Sequence, residues 1–195
     1  MTAEPRLILA SASAQRLALL AQIGVIPDDV IPADIDESKR DDETPRALAI
    51  RLARAKAAQV AARQPGAFIF AADTVIATGQ RSLGKPEDAA AAQAMLARLA
   101  GRRHRVFGAV VLRAPDGRLG ERLVVSRVTF ARLDSAEIAA YVAGGEWRGR
   151  AGGYAIQGRA GGFVRLLSGS YSNVVGLPLF ETRQLLRGLG ARRLA

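Results

Sequence analysis

The chain has no cysteine, a single histidine (His104), a single asparagine (Asn173), and only three lysines, Lys39, Lys56 and Lys85, among its 28 basic residues. Without cysteine there are no disulfides, thiolate metal sites or cysteine nucleophiles. One imidazole cannot build a histidine-rich metal cage. No apolar run approaches the roughly 18 residues a membrane-spanning helix requires. The N-terminus shows no basic-then-apolar leader ending in small residues, so the expectation is a cytoplasmic protein with no membrane partner.

What is abundant is arginine. A net charge of +10 matches the electrostatic footprint of a nucleic-acid binder. The arginines, however, are spread along the chain instead of forming one block with interleaved aromatics. High Arg and Ala with scarce Lys and Asn is also what a GC-rich coding bias produces. The reading is therefore attraction to small polyanions, with no dedicated nucleic-acid partner. Against that bias Lys56 and Lys85 stand out as places where a compact ammonium is needed.

With 195 residues, 49% of them apolar, the chain can bury one core, shared by two lobes around a cleft. A single domain over 1–195 is expected. The pattern reads strand 6–11, helix 13–23, an extended piece 28–33, helix 45–63, strand 67–77, helix 86–100, strands 105–113 and 118–131, and helix 135–143. A glycine-rich segment, 144–170, and helix 178–189 follow. Pro45 and Pro86 sit at first helical positions, and Ala114-Pro115-Asp116-Gly117 reads as a hairpin turn. Interleaved helices and strands with one hairpin predict an α/β fold with a mixed sheet.

Four places invite a chemical reading. The strand Leu7-Ile8-Leu9-Ala10 runs into Ser11-Ala12-Ser13, where Ser13 caps a helix that Gly24 closes. Arg16 lies in its first turn, where a cation is disfavoured by about 0.3–1 kcal/mol unless an anion binds there. The alternative is a plain capped helix with Arg16 in water. Lys85, placed at the N-cap of a helix beginning at Pro86, repeats the oddity, or is a solvated loop lysine. Asp73 interrupts the buried strand Phe68–Ile76 and must meet a cation, a metal or hydrogen-bond donors. Lys56, four residues from both Leu52 and Val60, either snorkels to water or points into a cavity beside an anion.

Weaker signals surround these. Glu37 belongs to an acidic loop running to Glu43, either solvated surface or carboxylates suited to Mg²⁺ shared with phosphate oxygens. His104 opens a strand, and a lone histidine is commonly a structural group. Ala151-Gly152-Gly153-Tyr154-Ala155-Ile156-Gln157-Gly158 permits close backbone approach, with Gln157 able to read a base edge.

Taken in order, these blocks resemble the Maf-like nucleotide pyrophosphatase family along essentially the whole chain. The likeness runs through Leu9–Ser13 with Arg16, Asp36-Glu37, Arg51-Leu52-Ala53 with Lys56, Ala72-Asp73-Thr74-Val75 and Gly84-Lys85-Pro86. It continues through Leu99-Ala100-Gly101 with His104, Ala151–Gly158 and Gly169–Pro178. The resemblance implies an elongated mixed sheet flanked by helices, in two lobes around a cleft, like inosine triphosphate pyrophosphatases, and a homodimer. It implies hydrolysis of a nucleoside triphosphate to the monophosphate and pyrophosphate with a divalent cation, Mg²⁺ or Mn²⁺.

On the same resemblance, Asp73 matches the proton acceptor. Ser11, Ser13, Arg16, Lys56, Lys85 and Gln157 line the substrate pocket, and Glu37 with Asp73 is expected to hold the metal. Asp73-Thr74 and Ile156-Gln157-Gly158 look like the branch acting on dTTP and UTP. A sister branch acting on 7-methyl-GTP carries Asp-Gln and a glutamate there. Gln15 departs from the pyrimidine branch, which usually has Pro-Arg at positions 14 and 15. Gln15, Thr74 and Gln157 are thus the expected specificity positions. The competing readings are the same chemistry on another modified nucleotide, and a regulatory protein of cell division or a nucleic-acid binder.

Overall fold

A computed structural model of the chain describes residues 4–191. Its elements are β1 (Leu7–Leu9), α1 (Ala14–Gln22), β2 (Asp29–Val30), α2 (Pro45–Arg63), β3 (Phe68–Thr78), β4 (Arg81–Leu83) and α3 (Ala89–Leu99). Then come β5 (Arg103–Arg113), β6 (Leu119–Phe130), α4 (Ser135–Ala143), β7 (Val164–Ser168), α5 (Tyr171–Val175) and α6 (Leu179–Leu189). The predicted α/β class with a mixed sheet is what the chain adopts: seven strands in the order β2-β1-β3-β5-β6-β7, with β4 paired to β3 off this path. β1 is parallel to both β2 and β3, and every other pairing is antiparallel. No helix among the described residues is long and apolar enough to cross a membrane.

The period-2 alternation of β3 decides which helix packs where. Ile69, Ala71, Val75 and Ala77 face the Leu48, Leu52, Ala53, Ala57 and Val60 stripe of α2. Phe68, Phe70 and Ala72 face α1 and α6 through Leu19, Leu20, Leu185 and Leu186. Both faces of β3 are covered, which is why its sequence is apolar almost throughout.

Helix ends follow local rules. Ser13 and Thr44 accept backbone N–H groups at the starts of α1 and α2, satisfying donors that have no partner inside the helix. At the end of α1, Gly24 has φ of 71°; its N–H reaches Ala21 and that of Val25 reaches Leu20. This double bond pattern needs the left-handed backbone that glycine adopts without strain.

Three expectations are corrected. The third helix starts at Ala89, not Pro86: Asp88 is its cap and accepts the Ala91 N–H at 2.7 Å. An aspartate is a far better cap than a lysine, so Lys85 lies in the preceding loop. The glycine-rich segment contains β7, and the short helix α5 precedes the last helix. The hairpin between β5 and β6 forms as read, closed by Ala114 N–H to the Arg118 carbonyl.

The sheet contains a notch. β1 pairs with β3 only as far as Phe70, and β4 begins its pairing at Ile76. Ile76 and Ala77 pair simultaneously with β5, so β4 must lie on the edge that β1 uses. Between them β3 has a neighbour strand on one edge only, and Asp73 and Thr74 lie in that gap.

Candidate active site

Asp73 is only 6% exposed, and a buried carboxylate must be compensated. Its partner comes from α2. Lys56 holds its place in the apolar stripe, 8% exposed, and its Nζ donates to Asp73 Oδ1 at 2.7 Å. It does not snorkel. The same ammonium lies 2.5 Å from Glu37 Oε1, so one cation bridges two carboxylates. Glu37 Oε2 is in turn 3.7 Å from Lys85 Nζ. These two outer groups are open to water, with side chains 44% and 59% exposed respectively.

The loop that brings Glu37 here is held at both ends. Ile31, Ala33 and Ile35 pack against the α2 cluster. Past Glu37, Arg51 donates to both Glu43 oxygens at 2.7 and 2.9 Å and to the Ser38 carbonyl at 2.8 Å. The Arg51 hydrogen bonds hold the Glu43 carboxyl down to about 2, against the opposing effect of burial. Sequence reading places Arg51 in a family block and Glu43 in the acidic loop without pairing them; only the fold shows them clamping the Glu37 loop. For Glu37 itself, burial pushes the carboxyl up. The Lys56 hydrogen bond and charge, with Lys85 and Arg16 behind, outweigh that and leave it below its ordinary value.

Arg16 approaches from the other face of the sheet and meets the notch at Thr74. Its Nη2 donates to Thr74 Oγ1 at 3.3 Å, its Nη1 to Ser11 Oγ at 3.2 Å, and its Nε to the Gly176 carbonyl at 3.1 Å. Three of five guanidinium N–H groups are used within the chain, leaving two for a ligand. Burial lowers the pKa of Arg16, while Asp73 and Glu37 oppose the change; a guanidinium stays charged regardless. Ser11 Oγ also accepts the Ser13 N–H, and the Ser13 hydroxyl donates to Gln15 Oε1 at 3.3 Å.

The notch therefore gathers Ser11, Ser13, Arg16, Glu37, Lys56, Asp73, Thr74 and Lys85, with Gln15 linked through Ser13. Gln157 is exposed and no hydrogen bond ties it to these groups. Its segment is nonetheless docked beside Lys85, because the Gly152 N–H donates to the Gly84 carbonyl at 2.9 Å. His104 lies elsewhere, buried, with Nε2 2.8 Å from the Tyr154 hydroxyl and rings of Phe130 and Tyr154 at its edges. It is the structural group that a lone histidine commonly is.

Three cations, Arg16, Lys56 and Lys85, around the Glu37 and Asp73 carboxylates suit a polyphosphate. A family model described as "Maf-like protein" matches residues 6–189 of the chain.

The chain belongs to the Maf-like family.

Relatives of this Maf-like chain carry the name dTTP/UTP pyrophosphatase. The one from Rhodospirillum rubrum is 62% identical over 95% of this chain and 89% of its own. That from Hyphomonas neptunium is 58% identical over 96% and 97%, and that from Caulobacter vibrioides 59% over 98% and 100%. Among solved structures, a nucleoside-triphosphatase described as a dITP/XTP pyrophosphatase, from Mycobacterium abscessus, matches over 95% of this chain and 92% of its own at 16% identity and a TM-score of 0.45. The family assignment rests on the family model and the sequence relatives.

The donor set of this Maf-like site fits a divalent cation shared with substrate. Glu37 and Asp73 supply two carboxylates, and no group of three or more His, Asp or Glu residues forms a cage among the described residues. Mg²⁺ characteristically takes one or two carboxylates and fills its remaining positions with phosphate oxygens and water.

Proposed function

We propose that this Maf-like chain hydrolyses dTTP and UTP to the monophosphate and pyrophosphate, clearing the nucleotide pool. The observation that carries the reading is the Lys56 bridge between Asp73 and Glu37 in the notch of β3, with Arg16 and Lys85 on either side of it. The names of the relatives, at 58–62% identity over nearly the whole chain, supply the substrates.

In this reading Arg16, Lys56 and Lys85 hold the triphosphate. Asp73, at the bottom of the notch, takes a proton from the water that attacks the α-phosphorus. A P–O bond forms to that water, the bridging bond to the β-phosphate breaks, and pyrophosphate leaves. Glu37 and Asp73 would hold Mg²⁺ or Mn²⁺, which supplies charge neutralisation on the phosphates and polarises the attacking water. Negative charge growing on the phosphate oxygens meets the Arg16 guanidinium, already fixed by Ser11, Thr74 and the Gly176 carbonyl, so that group needs little reorganisation. Thr74 and Gln157 contact the pyrimidine edge, where an unmatched base would leave polar groups unpaired.

Gln15 favours a second reading, the same chemistry on a modified nucleotide. Its side chain lies against Ser13 at the start of α1, where the pyrimidine branch usually has arginine. A panel of normal and modified triphosphates with Mg²⁺ tests both readings. Pyrophosphate from dTTP and UTP is expected. A preference for 7-methyl-GTP or another modified nucleotide selects the second reading, and orthophosphate as the main product overturns both.

A further inference from the structure

Lys56 occupies the position that the divalent cation of the proposed reaction would need. Its Nζ lies 2.7 Å from Asp73 and 2.5 Å from Glu37, the same two carboxylates that would ligate the metal. A Mg²⁺ ion needs carboxylate oxygens at about 2.0–2.1 Å. An ammonium between those oxygens therefore stands in its way, both as bulk and as like charge. Between Lys56 and Asp73 screening is weak, because they are 8% and 6% exposed, while Glu37 stays open to water.

The ammonium can leave the pair cheaply only if another anion receives it, since a buried lysine without a partner is costly. Among the described residues Glu37 and Asp73 are the acidic groups paired with Lys56, and the neighbouring Lys85 and Arg16 are both cationic. The triphosphate itself is the available acceptor.

We infer that Lys56 is an internal competitor for the divalent cation, so that the metal binds tightly only when a triphosphate draws the Lys56 ammonium off Glu37 and Asp73. The inference rests on the pyrophosphatase reading and assigns this chain an order of events: the empty site is closed to free metal, and nucleotide and cation enter together. Coupling of this kind is reciprocal, each ligand raising the affinity for the other by the same factor.

The test is calorimetric titration of the nucleotide-free protein with Mn²⁺ alone. Lys56→Met removes the charge and keeps the apolar stem, and Lys56→Gln keeps a hydrogen-bond donor. The wild type should bind Mn²⁺ weakly, and Lys56→Met at least about tenfold more tightly, with Lys56→Gln between them. Mn²⁺ should raise the melting temperature of Lys56→Met more than that of the wild type, and adding Glu37→Gln to Lys56→Met should abolish the gain. A Lys56→Met protein that folds only with Mn²⁺ also supports the inference, because the metal then replaces the ammonium. Equal or weaker Mn²⁺ binding by whichever variant folds, or failure of both to fold at saturating Mn²⁺, overturns it. Loss of the underlying reading appears separately, as a wild type that releases no pyrophosphate from dTTP or any other triphosphate.

Discussion

Arg16 Nε donates to the carbonyl of Gly176 at 3.1 Å, a bond between groups 160 positions apart in the chain. The same carbonyl accepts from Thr74 Oγ1 at 3.5 Å, so one backbone oxygen steadies two groups of the notch. Gly176 can present it because its φ is 143°, a conformation that side chains resist. The residue terminates α5, which is itself pinned to the sheet by Asn173 through bonds to the Val106 carbonyl and Ser126 Oγ.

Substituting Gly176→Ala should therefore destabilise the protein by about 1–3 kcal/mol through backbone strain and also misplace Arg16. The second effect is separable. In a double-mutant cycle with Arg16→Lys, which lacks the Nε donor, the losses in kcat/KM should be non-additive. Additive losses would show that Gly176 acts on the fold alone.

Asp73→Asn keeps the shape of the side chain and removes the proton acceptor. Turnover of dTTP should fall by about 10²–10⁴-fold, while nucleotide binding, followed by calorimetry, is retained. Near-normal turnover would remove Asp73 from both the base and metal-ligand roles.

Gly108 lies on β5 opposite Thr74, and a Cβ there would fall 1.8 Å from Asn173 Oδ1. Gly108→Ala must push Asn173 from its place, at a cost of about 1–3 kcal/mol, readable in urea unfolding. Truncating Asn173 to Ala in the same chain should recover part of that loss. A Gly108→Ala protein as stable as the wild type would mean that α5 does not depend on this fit.

His104 gives the fold an acid sensitivity of defined sign. Burial lowers its pKa to about 4, from an ordinary 6.5. The unfolded chain therefore binds this proton at a higher pH than the native one. The stability associated with neutral His104 is full above pH 6.5 and is lost as pH falls from 6.5 toward 4. His104→Phe, which suits the surrounding aromatic rings, should flatten the pH dependence of urea unfolding across that window. An unchanged slope would contradict the assignment.

The sequence was most legible where one residue broke a strong pattern. Asp73 inside an apolar strand and Lys56 inside an apolar helical stripe each signal a need for compensation, and the fold shows that each supplies the other's. The start of the third helix differs from the sequence reading because Pro86, Glu87 and Asp88 offer two starting points, and the bond that the Ala91 N–H donates to the Asp88 carboxylate wins over proline at the first position. β4 and β7 are three and five residues long, too short for alternation to show. The Gly176 carbonyl was out of reach altogether, being a backbone group with no side chain to read. Its role depends on a long-range approach that only the assembled sheet creates.

The central claim is attack of water on the α-phosphorus in the notch beside Asp73. Hydrolysis of dTTP in ¹⁸O-labelled water with Mg²⁺, followed by mass spectrometry of the products, tests it most directly. The account predicts the label in thymidine monophosphate, with unlabelled pyrophosphate. Label in pyrophosphate or in released orthophosphate would place the attack on another phosphorus and contradict it.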